Sequence, residues 1–391
     1  MRILHIVPSL APQTGGPSQS VPALCRAVAR QGHDVTLYTS TWPHTDKTLP
    51  PKGVIQTGDG FAIRTFTSKR GSFGSSLPHS PDLLQALDRH ADRFDIIVTH
   101  SLWNPVATFS RKLLRNKGRR YCIMPHGMLD PVVFKRNGWK KFLWARLWER
   151  KNVEEASLII FNTLAEKEKA GYCGWHLPAC ITVPHVIDLS GWRDLPPRSS
   201  LEGVFPQLRG REVILFVGRI NWVKNLDTLL DALAIVRKDL PSAMLVCVGP
   251  SDDRYRAELE RKAQIMGLRD ALLFTGMLVG RALKTAYARG DLLALVSKKE
   301  NFGLAVAEAL AAGLPVVVST GVDLAAGWPS EGPVRRVEAA ATGIARAIEE
   351  LLERSHSYGL PDKEAQALAE KELGGTRIHH LIESYRSVVN G

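Results

Sequence analysis

Short apolar runs separated by amphipathic segments fill most of this chain. The first run, RILHIV at residues 2–7, precedes a turn-forming stretch, and residues 21–30 then carry apolar side chains at helical spacing. HDVTLYTS follows, with the β-branched composition of a strand. Strands that alternate with helices form parallel sheets covered on both faces, so we predict an α/β fold.

The alternation continues through the first half of the chain and then begins again. Strands are predicted at FDIIVTH, RYCIMPH, SLIIFNT and CITVPHV, with helices over residues 81–90 and 139–156. A second series has strands at EVILFVGRI, AMLVCVGP, ALLFTG, DLLALVS and LPVVVST, with helices over 225–238, 254–266 and 304–312. Two series of this kind predict two parallel α/β domains.

A segment rich in Pro, Gly and Arg follows the last strand of the first series. We therefore predict an N-terminal domain over residues 1–186 and a C-terminal domain over residues 187–375. The amphipathic stretch 376–391 is predicted to form a helix that packs back on the first domain. Ligands of open α/β sheets bind outside the carboxyl ends of the strands, and pockets favour domain interfaces, so the active site is expected in a cleft between the domains.

Composition and charge narrow the class of protein. The 391 residues are 45% hydrophobic and 23% charged, which excludes a disordered chain, a fibrous repeat and a small disulfide scaffold. The net charge is +12, and residues 1–186, with 25 basic and 13 acidic side chains, account for all of it. Five cysteines without a C-x-x-C pair argue against zinc or thioredoxin chemistry. The cysteine usage, with no signal peptide or membrane span in the pattern, favours a cytoplasmic protein.

Two segments have residue types suited to a phosphorylated ligand. Gly15 and Gly16 lie between the first predicted strand and helix, where the backbone can approach an anion; the alternative is an ordinary turn. Arg219 and Lys224 follow the first strand of the second series and would neutralise a diphosphate; the alternative is two solvated charges. No G-x-G-x-x-G or Walker pattern is present, which argues against a dehydrogenase or a nucleotide triphosphatase.

The segment SKKENFGLAVAEALAAGLPVV, residues 297–317, is the most specific part of the sequence. Glu300 stands before Asn-Phe-Gly, and a helix is predicted to begin at Leu304 and to contain Glu308. The N–H groups at the start of a helix suit a phosphate or a sugar hydroxyl, and carboxylates accept hydrogen bonds from sugar hydroxyls. The residues around Glu308 are mostly apolar, so its carboxylate needs a polar partner. The alternative is one capping and one solvated glutamate.

These segments, with MPHGMLDP in the first half, together resemble the family 4 glycosyltransferases of group 1. The resemblance covers nearly the whole chain in the right order. It implies a GT-B fold, in which two Rossmann-like doubly wound domains face each other across a cleft. It also implies retention of anomeric configuration and a nucleoside-diphosphate sugar as substrate. No cofactor and no metal are expected.

The resemblance assigns roles residue by residue. Arg219 and Lys224 would hold the diphosphate and stabilise the charge that grows on it, Glu300 would bind the donor sugar, and His126 would line the reaction centre. Glu308 would hold the ribose. The full set of donor-binding residues implied is Gly15, Gly16, Gly249, Pro250, Met277, Leu278, Asn301, Phe302, Gly303, Leu304 and Glu308, with Thr163 and Glu166 at the rim of the cleft.

One motif departs from the family pattern. The family commonly has Pro-Asn-Gly-Val-Asp at the end of the first domain, where this chain reads PHVID at residues 184–188. His185 is then either a structural residue or a new site residue. The 12 histidines are scattered along the sequence, and Asp252 is expected to cap a helix rather than to bind a metal.

Residues 134–151, FKRNGWKKFLWARLWERK, carry seven basic side chains and one acidic one. Trp144 and Trp148 are four residues apart and share a helix face. Three interpretations stay open: docking onto an anionic membrane, an electrostatic funnel for an anionic acceptor, and a helix whose aromatic face packs on the sheet. No motif supports nucleic-acid binding.

The predicted function is transfer of a hexose from a UDP-sugar, or next GDP-mannose, to a saccharide or lipid-linked saccharide in cell-surface polysaccharide synthesis. The departing phosphate would help to deprotonate the acceptor. The enzyme is expected in the cytoplasm or on the inner face of the plasma membrane. Two alternatives remain: another GT-B enzyme such as a UDP-sugar epimerase, and a non-catalytic basic protein that binds membranes peripherally.

Overall fold

The computed structural model describes the chain except for residues 12–13, 15, 42–52, 57–59, 70–78, 136–137, 188 and 375. It divides into two compact units, one of Met1–Ile187 with Gly375–Gly391 and the other of Asp188–Gly374. Each unit has its own sheet. None of the helices in the described ranges has the length and apolar character needed to cross a membrane.

The first unit is built on an eight-stranded sheet in the order β3-β4-β2-β1-β5-β6-β7-β8. All neighbouring strands are parallel except β3 and β4, which are antiparallel. The strands are β1 (Arg2–Val7), β2 (Asp34–Ser40), β3 (Gly53–Gln56), β4 (Ala62–Phe66), β5 (Ile96–His100), β6 (Cys122–Met124), β7 (Leu158–Phe161) and β8 (Cys180–Thr182). The helices are α1 (Pro17–Arg30), α2 (Pro81–His90), α3 (Pro105–Asn116), α4 (Pro131–Lys135), α5 (Gly138–Trp144), α6 (Arg150–Glu154) and α7 (Leu164–Gly171).

This sheet is apolar on both faces. Successive residues of a strand point to opposite sides, so a continuous apolar run supplies apolar side chains to both. In β1, Ile3 and Val7 belong to a buried cluster with residues of α1, whereas Leu4 and Ile6 belong to a second cluster with residues of α2 and α3. The apolar run RILHIV is therefore the sequence of a central strand covered on both sides.

The second unit has a six-stranded parallel sheet in the order β11-β10-β9-β12-β13-β14. The strands are β9 (Glu212–Val217), β10 (Ala243–Val248), β11 (Leu272–Gly276), β12 (Leu292–Leu295), β13 (Val316–Ser319) and β14 (Val334–Val337). The helices are α8 (Ser199–Val204), α9 (Leu226–Val236), α10 (Asp253–Ile265), α11 (Arg281–Arg289), α12 (Leu304–Ala311), α13 (Ala341–Tyr358) and α14 (Lys363–Leu373). The last helix, α15 (Thr376–Asn390), belongs to the first unit.

Several elements differ from the sequence prediction. Helix α1 begins at Pro17 instead of residue 21, because Pro is well accommodated in the first turn of a helix. The predicted helix over 139–156 runs from Gly138 to Glu154 and contains a π-helical turn, Ala145–Glu149. Strands β3, β4 and β14 were not predicted, and no ranges were predicted for helices α3, α4, α7, α8, α11, α13 and α14. The two arginines in the centre of β14 hide its strand pattern.

Candidate functional site

In the second unit, Lys224 and Glu300 form an ion pair beyond the carboxyl ends of the central strands. Lys224 ends a short 3₁₀ turn after β9, and Glu300 lies between β12 and α12. The ammonium group of Lys224 donates to Oε2 of Glu300, and both side chains are largely buried. Because β9 and β12 are parallel neighbours, their carboxyl ends meet at one edge. The fold thus joins two predicted site residues that are 76 positions apart.

The backbone of Glu300 is fixed from both sides. Its N–H donates to the carbonyl oxygen of Gly321 at 2.8 Å, and its carbonyl oxygen accepts from the N–H of Asp323 at 2.9 Å. Glu300 therefore holds its carboxylate in a defined place although it lies outside regular secondary structure.

Helix α12 begins immediately after the Glu300 segment. Gly303 is its N-cap and has a φ of 75°, in the left-handed region that favours glycine. A Cβ atom there would lie 3.0 Å from Cδ2 of Leu295 and 3.3 Å from Cγ of Glu300. Phe302 is buried, Asn301 and Leu304 are half-buried, and the helix starts at Leu304. The positive end of the α12 dipole therefore lies beside the Glu300 carboxylate.

Glu308, in the second turn of α12, has the polar partner that its apolar surroundings require. The hydroxyl of Tyr287 donates to Oε2 of Glu308 at 2.6 Å. Burial raises the pKa of Glu308 to about 7, although the hydrogen bond from Tyr287 acts in the opposite direction. The ring of Tyr287 is fully buried and meets the ring of Trp192 edge-on, with centroids 4.9 Å apart. Tyr287 was not identified from the sequence, since only the pairing of α11 with α12 brings it to Glu308.

Arg219 and Gly249 follow the neighbouring strands β9 and β10. A Cβ atom on Gly249 would lie 2.0 Å from the carbonyl oxygen of Gly218, so this approach of two strand ends requires glycine. The N–H of Gly249 donates to the carbonyl oxygen of Gly276 at 2.9 Å, which also ties in the end of β11. Arg219 is exposed and makes no hydrogen bond or ion pair with any described residue. Its charge is therefore available to an anion.

Three more of the residues implied to bind the donor lie in the adjoining turns. Pro250 is exposed after β10, and Met277 and Leu278 follow β11, Met277 with 46% of its surface exposed. The carboxylate of Asp252 accepts from the N–H groups of Arg254 and Tyr255, so it caps α10 as predicted. Among the described residues, no three His, Cys, Asp or Glu side chains are grouped so as to hold a metal ion.

In the first unit, His126 occupies a constrained turn after β6. Its φ is 54°, in the left-handed region, and Gly127 follows with a φ of 78°. The Glu166 carboxylate accepts from the N–H of Gly127 and, at 2.8 Å, from the N–H of Asn162. Thr163 caps α7 by accepting from the N–H of Glu166 at 3.0 Å. Thr163 and Glu166 therefore connect the turns that follow β6 and β7.

Four histidines that are far apart in the sequence lie together in the first unit. Nδ1 of His5 lies 2.9 Å from Nε2 of His100, and Nδ1 of His100 lies 3.0 Å from Nε2 of His126. The ring of His185 stacks on that of His126, with centroids 5.3 Å apart. The sequence conceals this group because the strands that carry it are adjacent in the sheet and distant in the chain.

The paired glycines near the N-terminus are only partly described. Gly15 lies outside the described residues. Gly16 is exposed and precedes α1 in a right-handed helical conformation, and a Cβ atom at this position would have no neighbour within 4 Å. Neither the backbone conformation nor the packing therefore requires glycine at position 16.

The basic aromatic segment 134–151 has two kinds of aromatic residue. Trp144 and Trp148, predicted to share a face, both pack against Phe109, with ring centroids 6.0 and 5.7 Å apart. A fully buried ion pair of Arg111 with Glu149 fixes the same turn. Within the described part of the segment, the exposed apolar side chains are instead Trp139 (72%), Phe142 (69%), Leu143 (49%) and Leu147 (53%). The face shared by Trp144 and Trp148 is thus the packed face of the segment.

Comparison with known proteins covers both units. Residues 15–179 match the family model described as glycosyl transferase 4-like domain, and residues 205–370 match that of glycosyl transferases group 1. A D-inositol 3-phosphate glycosyltransferase from Kineococcus radiotolerans is 26% identical over 81% of this chain and 76% of its own length. The alpha-monoglucosyldiacylglycerol synthase of Streptococcus pneumoniae is 33% identical over 28% of this chain and 24% of its own.

Solved structures agree on the fold. The structure of HepE from Anabaena in complex with UDP and glucose matches with a TM-score of 0.77 at 19% sequence identity, covering 99% of each chain. That likeness extends over both sheets described above. The chain belongs to the group 1, family 4 glycosyltransferases and has the GT-B fold.

Proposed function

We propose that this glycosyltransferase moves a hexose from a nucleoside-diphosphate sugar to a saccharide or lipid-linked saccharide, with retention of anomeric configuration, in cell-surface polysaccharide synthesis. The observation that carries the proposal is the pair Lys224–Glu300 at the N-terminus of α12, together with Arg219, which follows β9 and pairs with none of the described residues. Two cations and a helix N-terminus suit a diphosphate, and the carboxylate suits a sugar hydroxyl.

The ion pair suggests how donor binding prepares the site. In the structure, Glu300 neutralises Lys224. A diphosphate offers Lys224 a more highly charged partner, so the ammonium group moves to the phosphate and Glu300 is released to accept from the hydroxyls of the sugar. Arg219 adds a second cation to the diphosphate.

Rate acceleration follows from where charge develops. As the glycosidic bond breaks, negative charge accumulates on the phosphate oxygens of the leaving group. Fixed cations and N–H dipoles stabilise that charge more strongly in the transition state than in the ground state. The departing phosphate then accepts the proton of the acceptor hydroxyl as the new bond forms on the same face. We propose that no metal and no further cofactor take part.

The donor proposed first is a UDP-sugar, and GDP-mannose comes next. HepE, which has the same fold, was crystallised with UDP and glucose and with UDP-glucose. In this chain, Glu308 is assigned to the ribose, and the turns at Gly249, Pro250, Met277 and Leu278 are assigned to the base. The domain over residues 187–375 would thus bind the donor, and the domain over residues 1–186 the acceptor.

A lipid-linked acceptor is favoured by the exposed stripe of the segment 134–151. Trp139, Phe142, Leu143 and Leu147 are exposed, and Trp and Phe beside basic groups suit the interface of an anionic membrane. Among the residues of this segment whose side chains the structure describes, Lys140, Arg146, Arg150 and Lys151 are the exposed basic ones. The relative from Streptococcus pneumoniae is named for a lipid product. We therefore place the enzyme in the cytoplasm, docked peripherally on the membrane.

A thermal-shift comparison of nucleoside diphosphates tests the proposal. Ligands that bind the native state raise its apparent stability, so UDP should raise the Tm more than GDP or ADP, with EDTA present throughout. Transfer with EDTA present should equal transfer without it. A Tm unmoved by all three nucleotides would contradict the donor class, and loss of activity on chelation would contradict the metal-free mechanism.

Two other functions make different predictions. A GT-B epimerase would convert the UDP-sugar without an acceptor, and a purely membrane-binding protein would keep its function after Glu300→Ala. Release of UDP that depends on an acceptor, and that is lost in Glu300→Ala, distinguishes the transferase from both.

A further inference from the structure

Four histidines of the first unit form one row that runs from within β1 to the carboxyl ends of neighbouring strands, and the proposed reaction uses only one of them. His5 lies in β1, His100 is the last residue of β5, His126 follows β6 and His185 follows β8. Strands β1, β5 and β6 are consecutive in the sheet and parallel. The row is therefore a consequence of the strand order.

The rings are joined by direct contacts between nitrogen atoms. The separations of 2.9 Å between His5 and His100 and of 3.0 Å between His100 and His126 fit N–H···N hydrogen bonds. At the outer end, Nδ1 of His126 lies 3.3 Å from the amide nitrogen of Asn162. His185 covers one face of the His126 ring at an interplanar angle of 14°. Every ring nitrogen of His100 and His126 is thus engaged.

A chain of this kind fixes where each proton sits. A neutral imidazole has one N–H donor and one acceptor nitrogen, so the bond at one nitrogen decides the state of the other. The Asn162 amide donates to Nδ1 of His126, which leaves the ring proton on Nε2. That N–H donates to Nδ1 of His100, and the N–H at Nε2 of His100 then donates to Nδ1 of His5. With this direction of donation, all three rings would hold the Nε2–H tautomer.

We propose that His5 and His100 act with the Asn162 amide as positioning residues, which together hold His126 in the Nε2–H tautomer and in one ring orientation. The inference rests on the proposed function only in treating His126 as a residue of the reaction centre. In this arrangement Nδ1 of His126 accepts from the Asn162 amide, and its Nε2–H donor points into the core.

The row of histidines does not conduct protons, because it ends at His5 inside the core. Nε2 of His5 is buried and has no hydrogen-bond partner among the described residues. Burial lowers the pKa of His5 to about 3 and that of His126 to about 4, and it also lowers the pKa of His100. The three rings are therefore neutral near pH 7. Only a neutral ring, with one N–H group, can be held in one tautomer by its hydrogen bonds.

The ring bonds also act on the backbone at His126. His126 has a φ of 54°, in the left-handed region that is unfavourable for a residue with a Cβ atom. The His126 ring is held in place after this turn by its hydrogen bond with His100 and by stacking with His185. Glu166 holds the next peptide through the N–H of Gly127.

Two substitutions at His100 test the contacts of its two ring nitrogens separately. The side-chain oxygen of Asn lies close to the position of Nδ1 in His, whereas that of Gln reaches the position of Nε2. His100→Asn therefore keeps an acceptor for His126 and loses the bond to His5. His100→Gln keeps a polar partner for His5 and removes the acceptor for His126.

The test is nitrogen NMR of the full chain labelled with ¹⁵N-histidine, because protonated and bare ring nitrogens have well-separated chemical shifts. The wild-type protein should show Nε2–H for His5, His100 and His126, with signals assigned from variants that lack each ring. His126 should keep this signal in His100→Asn and show a tautomer mixture in His100→Gln. The kcat of His100→Gln should be about 10-fold below that of His100→Asn, on the scale of a lost supporting hydrogen bond, with UDP affinity unchanged in both.

Wild-type His126 in the Nδ1–H form or as a mixture would overturn the proposal. Identical His126 signals in the two His100 variants would do the same. If neither variant folds, the wild-type spectrum and that of His5→Leu decide, since the latter removes the last acceptor and should release the tautomers of His100 and His126. Failure of wild-type protein to bind UDP would count against the proposed function and leave the tautomer result untouched.

Discussion

The phenolic oxygen of Tyr287 lies 2.6 Å from Oε2 of Glu308, and this hydrogen bond joins α11 to α12 under the proposed ribose site. Burial and the hydrogen bond shift the pKa of Glu308 in opposite directions. Burial favours the protonated form of Glu308, whereas the Tyr287 hydroxyl donates best to the carboxylate. The outcome, a pKa of about 7, places the titration of Glu308, which we propose to bind the ribose, near neutral pH.

We expect nucleotide affinity to rise with pH through this titration. An ionised Glu308 accepts from both hydroxyls of a ribose, and it is ionised only above its pKa of about 7. UDP affinity, measured by calorimetry, should therefore increase about 10-fold from pH 6 to pH 8. The Glu308→Gln variant should bind UDP more weakly, and its UDP affinity should lack this rise with pH. The comparison distinguishes the titration of Glu308 from that of the nucleotide itself. Tyr287→Phe should move the midpoint to higher pH.

The same carboxyl should also make stability depend on pH. Its pKa is raised from 4.5 in a solvated chain to about 7 in the folded state, so the folded state binds the proton more tightly between these values. The contribution of Glu308 to stability is then present below about pH 4.5 and is lost as the pH rises to 7. Thermal unfolding should show Glu308→Gln gaining Tm relative to wild type at pH 8 but not at pH 4.5. An equal change at both pH values would contradict the assigned titration.

Single substitutions at Lys224 and at Glu300 should affect UDP binding and catalysis differently. Lys224→Ala should weaken UDP binding and lower kcat by about 10²-fold, the scale of a lost transition-state donor. Glu300→Gln should abolish transfer yet bind UDP at least as tightly as wild type, because the competing carboxylate of the ion pair is gone. Lys238→Ala, an exposed lysine past the far end of α9, serves as the control. Weaker UDP binding in Glu300→Gln would argue against the exchange of partners at Lys224.

Two glycine substitutions should have opposite effects on the fold. Gly249→Ala drives a methyl group to 2.0 Å from the carbonyl oxygen of Gly218, so it should lower the unfolding free energy by more than about 2 kcal/mol. Gly16→Ala meets no atom and fits a helical φ, so stability should stay or rise by about 0.5 kcal/mol. If Gly16 approaches a phosphate or the acceptor, its variant should lose activity while remaining folded. Unchanged kinetics in Gly16→Ala would remove Gly16 from the site.

Membrane docking should depend on the exposed stripe and not on the packed tryptophans. The double variant Trp139→Ser with Phe142→Ser should lower binding to vesicles containing anionic lipid by at least about 10-fold, since each ring loses its burial in the interface. Its Tm should be unchanged. Tyr172→Ser, another exposed aromatic outside the stripe, is the control, whereas Trp144→Ser should destabilise the fold because Trp144 packs on Phe109. Equal vesicle binding by the double variant and the control would favour a helix without a membrane role.

The sequence was most informative where one element contains the whole signal. Glu300 and Glu308 lie on one short segment, on either side of the start of a helix, so their type, spacing and apolar setting were visible in order along the chain. The same holds for Asp252, whose capping role needs only the next turn of α10. The buried central strands were equally visible as continuous apolar runs.

Features that depend on sheet order were not visible. His5 and His100 are 95 residues apart and meet because β5 is inserted beside β1. Tyr287 reaches Glu308 only through the packing of two helices, and the pairing of Lys224 with Glu300 depends on β12 lying next to β9. Short edge elements such as β14, with charged residues in their centre, also lack the alternation that marks a strand.

The most direct test of the proposed donor site is a crystal structure of this chain with UDP. Arg219 and Lys224 should contact the diphosphate, the carboxylate of Glu308 should accept from the ribose hydroxyls, and Glu300 should no longer pair with Lys224. A nucleotide bound elsewhere, with the Lys224–Glu300 ion pair intact and Glu308 bonded to Tyr287 alone, would contradict the proposal.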